Sequence, residues 1–251
     1  MNTFGSAASD GSYAGTELEI FAHASNWKAY YKQIIRKYIG REVLEVGAGL
    51  GATTAALCDG EGKWVCLEPD ARLASRIADS IANGKLPACC RTSVGTIRDI
   101  PATETFDTIL YIDVLEHIED DSSELQLASE RLNTGGFLVA LAPAHQHLYT
   151  PFDANIGHYR RYNKRTLSAV VPNNLAQRML LYVDSVGAIA SLANRYVLRS
   201  DMPSYSQIAF WDKKMIPISR RIDRLLGYTI GKSIIGVWQR TRADKSDLNV
   251  P

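Results

Sequence analysis

The stretch Val43-Leu44-Glu45-Val46-Gly47-Ala48-Gly49-Leu50-Gly51 constrains this chain more than any other. A run of strand-forming residues passes into glycines at alternate positions, then into Ala52–Cys58, which reads as a helix. Glycines let the backbone take positive φ and let a ligand approach the main chain closely. Strand, glycine turn and helix in that order form the ligand-holding corner of a parallel α/β sheet. The rest of the first half keeps the alternation. Trp64–Leu67 reads as a strand, Ala71–Ala82 as a helix ending near Asn83-Gly84, and Cys89–Ser93 as a third strand. Thr108–Ile112 is a buried strand, Ser122–Leu132 a helix and Phe137–Ala142 another strand. Such spacing pairs the strands in parallel, so the expected class is α/β with a doubly wound sheet.

The flanks read differently. Ahead of the sheet, Glu17–Tyr38 reads as one helix, with Ile20, Phe21, Trp27, Tyr30, Tyr31, Ile34 and Ile35 at helical spacing, until Gly40 stops it. Beyond Pro143 a polar, aromatic loop (His145–Tyr162) leads to a helix starting at Lys164 and a strand at Met179–Val183. Two helical stretches, Ala188–Leu198 and Tyr205–Leu226, precede a last strand, Ser233–Trp238, and a charged tail, Arg240–Pro251. With no internal repeat and no long linker, the 251 residues read as one domain. It would comprise a flexible N-terminus (1–16), a helical lid, a ligand-binding core (40–145), and a substrate loop with a helical insert (145–232).

Composition removes several function classes. Lys and Arg total 28 against 27 Asp and Glu, so no global field draws in a nucleic-acid backbone. Apolar residues at 46% and charged ones at 22% suit a soluble globular chain. Met1–Gly15 lacks the apolar core of a signal peptide, and Asp184 and Arg195 interrupt the greasy stretch Met179–Leu198. The expectation is a cytoplasmic protein without a membrane span. Cys58, Cys66, Cys89 and Cys90 follow neither metal-ligand nor redox spacing, and read as buried or incidental thiols in a reducing compartment.

Glu68 ends the second strand, nineteen residues beyond Gly49, where a carboxylate can accept both hydroxyls of a ribose. Two cofactors fit. Gly47-x-Gly49-x-x-Ala52 loosely satisfies a dinucleotide fingerprint. Against it, Glu45 would repel a pyrophosphate and favour a ligand bearing an ammonium and a sulfonium, as S-adenosylmethionine does.

At these residues the chain resembles the class I S-adenosylmethionine-dependent methyltransferases. Glu45–Gly51 is similar to their first motif and Leu67-Glu68-Pro69-Asp70 to their acidic second-strand motif. Phe106-Asp107-Thr108-Ile109 into Asp113-Val114-Leu115-Glu116-His117 resembles their fourth-strand motif. Leu132–Leu138 resembles the turn before their fifth strand, and the likeness spans roughly residues 40 to 145. It implies a seven-stranded, mostly parallel, Rossmann-like sheet with an antiparallel final strand. It also implies a donor site built from Glu45, Gly47, Ala48, Gly49, Gly51, Glu68, Pro69 and Asp113. Where the family often carries an Asp to bond the adenine amine, Thr96 stands, which leaves the backbone near Ile97 for that contact.

The transferred methyl arrives activated, so the enzyme mainly supplies in-line placement and, for an oxygen or ammonium acceptor, a base. His117, His145, His147 and His158 all follow the fourth strand. Asp113–His117 resembles the ubiquinone-type O-methyltransferases, whose corresponding side chains face the acceptor and sometimes bind a divalent ion; the alternative is a helix cap. Tyr149–Tyr162 resembles the Gly-His-Tyr-Arg-Arg-Tyr loop of bacterial small-molecule methyltransferases from surface-glycan and natural-product pathways. Its His158 is the preferred base and Arg161 the group for an acceptor carboxylate or phosphate, unless Arg161 merely pairs with Asp153. Trp27, Tyr30 and Tyr31 could lie over the sulfonium or be helix core. Ile208–Ile218 could shape the acceptor pocket or a dimer contact, so monomer and homodimer both stay open. The expected activity is methyl transfer, preferably to oxygen, without a resident metal. N- or C-methylation, an NAD-dependent oxidoreductase and a non-catalytic binding module are the rivals.

Overall fold

The computed structural model describes residues 16–193 and 204–241. The first three strands are β1 (Glu42–Val46), β2 (Lys63–Glu68) and β3 (Cys90–Val94). They are followed by β4 (Phe106–Ile112), β5 (Leu132–Pro143), β6 (Leu175–Val183) and β7 (Ser233–Arg240). All seven form one sheet in the order β3-β2-β1-β4-β5-β7-β6. Neighbours among β1 to β5 run parallel, while β7 is antiparallel to both β5 and β6. The doubly wound, seven-stranded expectation holds, including the reversed last strand. Helices cover both faces, which is why β1, β2 and β4 are buried along nearly their whole length rather than at alternate residues. One core layer gathers Trp27, Tyr31, Ile35 and Trp64; the other gathers Leu44, Val65, Ile109, Leu125 and Tyr162.

The helix read over Glu17–Tyr38 is in fact two, α1 (Thr16–Ala22) and α2 (Ser25–Ile35), with a 3₁₀ turn at Arg36–Tyr38. The break at His23-Ala24 comes from a distant cap. Asp212 accepts from the amides of Asn26 (3.2 Å) and Trp27 (2.8 Å), so α2 starts against a carboxylate 185 residues away. Next come α3 (Ala52–Leu57), α4 (Ala71–Ala82) and α5 (Asp121–Glu130). The last stops short of the predicted Leu132, which instead pairs with Phe106 as the start of β5. The substrate loop contains a short α6 (Pro151–Asn155), followed by α7 (Lys164–Val170). In the insert, α8 (Ser185–Ala193) begins three residues before the predicted Ala188, while α9 (Tyr205–Phe210) passes through a π-helical stretch, Trp211–Met215, into α10 (Ile216–Leu225). The rest of the predicted 188–198 helix, the N-terminal stretch 1–15 and the tail 242–251 lie outside the described residues. Among the described residues, no helix is long and apolar enough to cross a membrane.

Two buried carboxylates tie lid to insert, and a third, Asp184, ties the insert to itself. Besides the Asp212 cap, Asp223 accepts from Tyr30 Oη at 2.7 Å and from the amides of Asp184 and Ser185. Asp184 in turn accepts from Trp211 Nε1 at 2.8 Å and from Ser219 Oγ. Each charge is fully hydrogen-bonded, the condition under which burial is tolerated. The result is a single roof over the carboxyl ends of β1, β4 and β5.

Candidate active site

A cavity of about 690 Å³ opens beneath that roof, and its walls come from both ends of the chain. The glycine loop forms its floor. Gly47 and Gly49 take φ of +67° and +56°, and a Cβ at Gly47 would stand 2.7 Å from Val114 Cγ2. A side chain there is excluded twice, by backbone angle and by space. At Gly49 the nearest neighbour of such a Cβ is Leu18 of α1, at 3.6 Å, so the lid helix closes over the loop. The Gly49 amide donates to Glu68 Oε2 at 2.8 Å, and the Asp70 amide donates to Oε1 at 3.0 Å. Glu68 does not itself line the cavity, but it is thereby fixed beside the loop, with further lone pairs available for hydroxyl donors.

Gly47, Ala48, Gly49, Asp113, Glu116, His117, His158 and Arg161 all line the one cavity. Asp113 sits at the end of β4 with φ +54°, an uncommon angle for a residue with a side chain and one that turns its carboxyl into the cavity. Desolvation raises its pKa to about 6, against the pull of His158, Lys232 and Lys28. Gly51 is the left-handed N-cap of α3, and Pro69 is on the surface; neither lines the cavity. Ile97 is buried in the core and also lies off the cavity wall.

Glu45 requires a correction. Its side chain does not reach the cavity: Oε2 accepts from Thr54 Oγ1 at 2.6 Å and Trp64 Nε1 at 2.8 Å, within the layer under α3. Burial raises its pKa to about 7, despite those hydrogen bonds. Glu45 braces α3 against β1 and β2, and the argument that set it against a pyrophosphate loses its basis.

The loop after β5 is built around Asp153, which caps α6 through Thr150. His158 Nδ1 lies 3.0 Å from Asp153 Oδ1, and Arg161 donates to both carboxylate oxygens at 2.8 and 2.9 Å. Burial opposes the charge on Asp153, but the bonds from His158 and Arg161 hold its pKa well below the usual carboxylate range. An ionised Asp153 can only accept, so His158 donates to it through Nδ1–H, and Nε2 lies 3.8 Å from Glu116 Oε1. Burial, reinforced by Asp113, lifts the Glu116 pKa well above the carboxylate range. His117 meets the His158 ring edge-on at 4.5 Å, and burial lowers its pKa to about 4. Arg161 pairs with Asp153, the alternative that the sequence left open. It positions Asp153, although its Nη1 atom is buried without a partner, as is Glu116 Oε2.

The histidines divide accordingly. His145 packs on the Tyr182 ring at 4.5 Å, away from the cavity. Trp27 and Tyr31 are cavity wall and helix core at once, while Tyr30 belongs to the roof network. From the insert, Ile208, Trp211 and Met215 line the cavity, and Lys213, Lys214, Arg220, Arg221 and Arg224 stay exposed. Lys232 and Lys28 went unnoticed in the sequence; Lys28 Nζ donates to the carbonyls of Phe21 and Ala22. Glu116, His117 and His158 bring one ligand atom each within 4.8 Å of one another, a set without Asp113 that could hold a divalent ion.

Residues 44–138, from β1 into β5, match the model of a family described as a methyltransferase domain. Over this segment the chain is similar to methyltransferase domains. No curated protein matches the chain. Among solved structures, a geranyl diphosphate methyltransferase in complex with S-adenosylmethionine aligns over 92% of this chain and 93% of its own, with TM-score 0.60 and 14% identity. Coclaurine N-methyltransferase, bound to N-methylheliamine and S-adenosylhomocysteine, aligns over 84% and 72%, with TM-score 0.56 and 14% identity. A [4+2]-cyclase aligns over 91% and 95%, with TM-score 0.60 and 13% identity. Identities this low speak to fold. This chain shares it with catalysts of different acceptors and, in the cyclase, of a different reaction, so the acceptor chemistry must be argued from the cavity.

Proposed function

We propose that the protein transfers a methyl group from S-adenosylmethionine to an oxygen of a small-molecule acceptor, with His158 as the base. The observation that carries this reading is the Asp153–His158 pair opening into the same cavity as the glycine loop. When bound, S-adenosylmethionine supplies a methyl already activated by its sulfonium. Gly47, Ala48 and Gly49 offer bare main chain to it, Glu68 accepts from its ribose hydroxyls, and the Asp113 carboxylate suits its ammonium. Trp27 and Tyr31 wall off solvent.

On the acceptor side, His158 Nε2 takes the hydroxyl proton as the oxygen becomes nucleophilic, and Asp153 stabilises the imidazolium that forms. His117, with its pKa near 4, is a far weaker base at neutral pH. Glu116, held neutral, does not compete for that proton. An acceptor carboxylate or phosphate would meet Lys232 and the unpartnered Arg161 Nη1. In this scheme residues 40–145 hold the donor and 145–232 the acceptor, in a bacterial specialised-metabolite or surface-glycan setting.

The proximity of Glu116, His117 and His158 favours a second reading, in which a divalent ion lowers the acceptor pKa in place of a free base. Turnover of a panel of phenol, sugar and amine acceptors with labelled donor, with and without chelator, tests both. O-methylated product with chelator-resistant turnover supports the base. Products methylated only on nitrogen or carbon would overturn the oxygen assignment.

A further inference from the structure

Outside that cavity, three thiols converge that nothing in their sequence spacing brings together. Cys58 is the C-cap of α3, Cys89 precedes β3, and Cys90 is its first residue. Cys58 Sγ lies 3.5 Å from Cys89 Sγ and 3.7 Å from Cys90 Sγ, and all three sulfurs fall within 4.8 Å of one another. Cys58 and Cys90 are buried while Cys89 is half-exposed, which leaves a path in from solvent. The fourth cysteine, Cys66, is turned to Thr54 Oγ1 at 3.3 Å and stands outside the group.

We propose that Cys58, Cys89 and Cys90 form a binding site for one thiophilic divalent metal ion of the Zn²⁺ type. The geometry matches: a zinc–sulfur bond of about 2.3 Å at tetrahedral angles puts neighbouring sulfurs about 3.8 Å apart. Charge selects the divalent class. Three thiolates around a divalent ion leave one net negative charge in a largely apolar layer, whereas a monovalent ion would leave two. On binding, each thiol gives up its proton to solvent as its sulfur–metal bond forms. Because each sulfur must lose its proton to bind, affinity should rise with pH. The site joins the end of α3 to the start of β3, at the opposite end of α3 from Gly51 and the donor loop. It is therefore a staple for the fold and stands apart from methyl transfer.

The test is titration of the full-length protein, freshly reduced and metal-free, with Cd²⁺ and with Zn²⁺. The expected result is one equivalent of Cd²⁺ giving a thiolate-to-metal absorption band, with a rise in Tm and three of four thiols shielded from a thiol reagent. Cys58→Ser, Cys89→Ser and Cys90→Ser should each weaken binding at least 100-fold, and Cys66→Ser should keep the band. S-adenosylmethionine binding checks that each variant is folded. Half-exposed Cys89 gives the decisive variant should replacement of a buried cysteine unfold the chain. Absence of the band at stoichiometric metal, its persistence in Cys89→Ser, or a Cys58–Cys89 disulfide forming in its place would overturn the proposal. Metal bound only through Glu116, His117 and His158 gives no thiolate band and also counts against it.

Discussion

Asp153 holds His158 twice, through its carbonyl, which accepts from the His158 amide at 2.9 Å, and through Oδ1, 3.0 Å from ring Nδ1, which leaves the other ring nitrogen on the Glu116 side of the cavity. A base so oriented has a clear mutational signature. His158→Ala should lower kcat by about 10²–10⁴-fold, the usual worth of general-base catalysis, with donor affinity unchanged. Asp153→Asn should lower kcat too, because the ring loses the partner that fixes its tautomer. The deficit of His158→Ala should shrink as pH rises, provided the acceptor ionises in solution. Steady-state kinetics on His158→Ala and His117→Ala decide the assignment, and the larger loss in His117→Ala would reverse it.

The donor loop makes a separate prediction. Gly49→Asp sets a side chain where φ is +56° and where Leu18 already closes the loop, so S-adenosylmethionine binding should vanish. Glu68→Ala removes an acceptor for the ribose and frees the Gly49 amide, and should weaken binding by about 1–3 kcal/mol. Calorimetry reads both, and wild-type affinity in the two variants would refute the donor site.

Glu45 predicts how stability depends on pH. Its pKa is about 7 in the folded chain against 4.5 when free, so the unfolded state ionises first as pH rises. Between those values the folded state holds the extra proton, and stability falls with rising pH by an amount on the order of 3 kcal/mol. Above about pH 7 the loss is complete; below about pH 4.5 it is absent. Both hydrogen bonds enter through Oε2, so the amide oxygen of Glu45→Gln can still accept them. Urea denaturation should therefore find Glu45→Gln close to wild type at pH 5 and more stable at pH 8. Equal pH profiles for the two proteins would show that Glu45 does not titrate in this range.

The roof can be tested at its cap. Asp212→Ala leaves the amides of Asn26 and Trp27 without their acceptor and should cost about 1–3 kcal/mol of stability. Because Trp27 and Trp211 both line the cavity, the donor Kd should rise as well. Thermal denaturation and donor titration measure the two effects.

Much of the sheet was readable because its signals are local. Val43–Val46, the three glycines and the carboxylate of Glu68 follow one another within a single turn of the fold, and backbone angles demand those residue types. His158 and Arg161 were readable as a loop too rich in function-bearing side chains to be a plain connector. Their partner Asp153 sits in the same loop, and the Thr150–Asp153 cap spacing was the available signal. Other features depend on pairs that sequence order hides. Asp212 meets Trp27, and Asp223 meets Tyr30, across 185 and 193 residues, so the helix break at His23-Ala24 had no local cause to read. The three thiols come from a helix end and a strand start that only the β2–β3 pairing brings together. Glu45 misled for a different reason. Its place in the motif was right, but its direction was set by Thr54 and Trp64.

The carboxylates that bind lid to insert also bear on how such a chain can be re-purposed. Asp212 and Asp223 belong to the late segment, yet they meet the start of α2 and Tyr30 outside it. A graft of 185–232 from another enzyme would bring its own walls and leave α2 without its cap and Tyr30 without its acceptor. Exchange of acceptor preference by recombination therefore has two crossover regions rather than one, and α2 must travel with the insert.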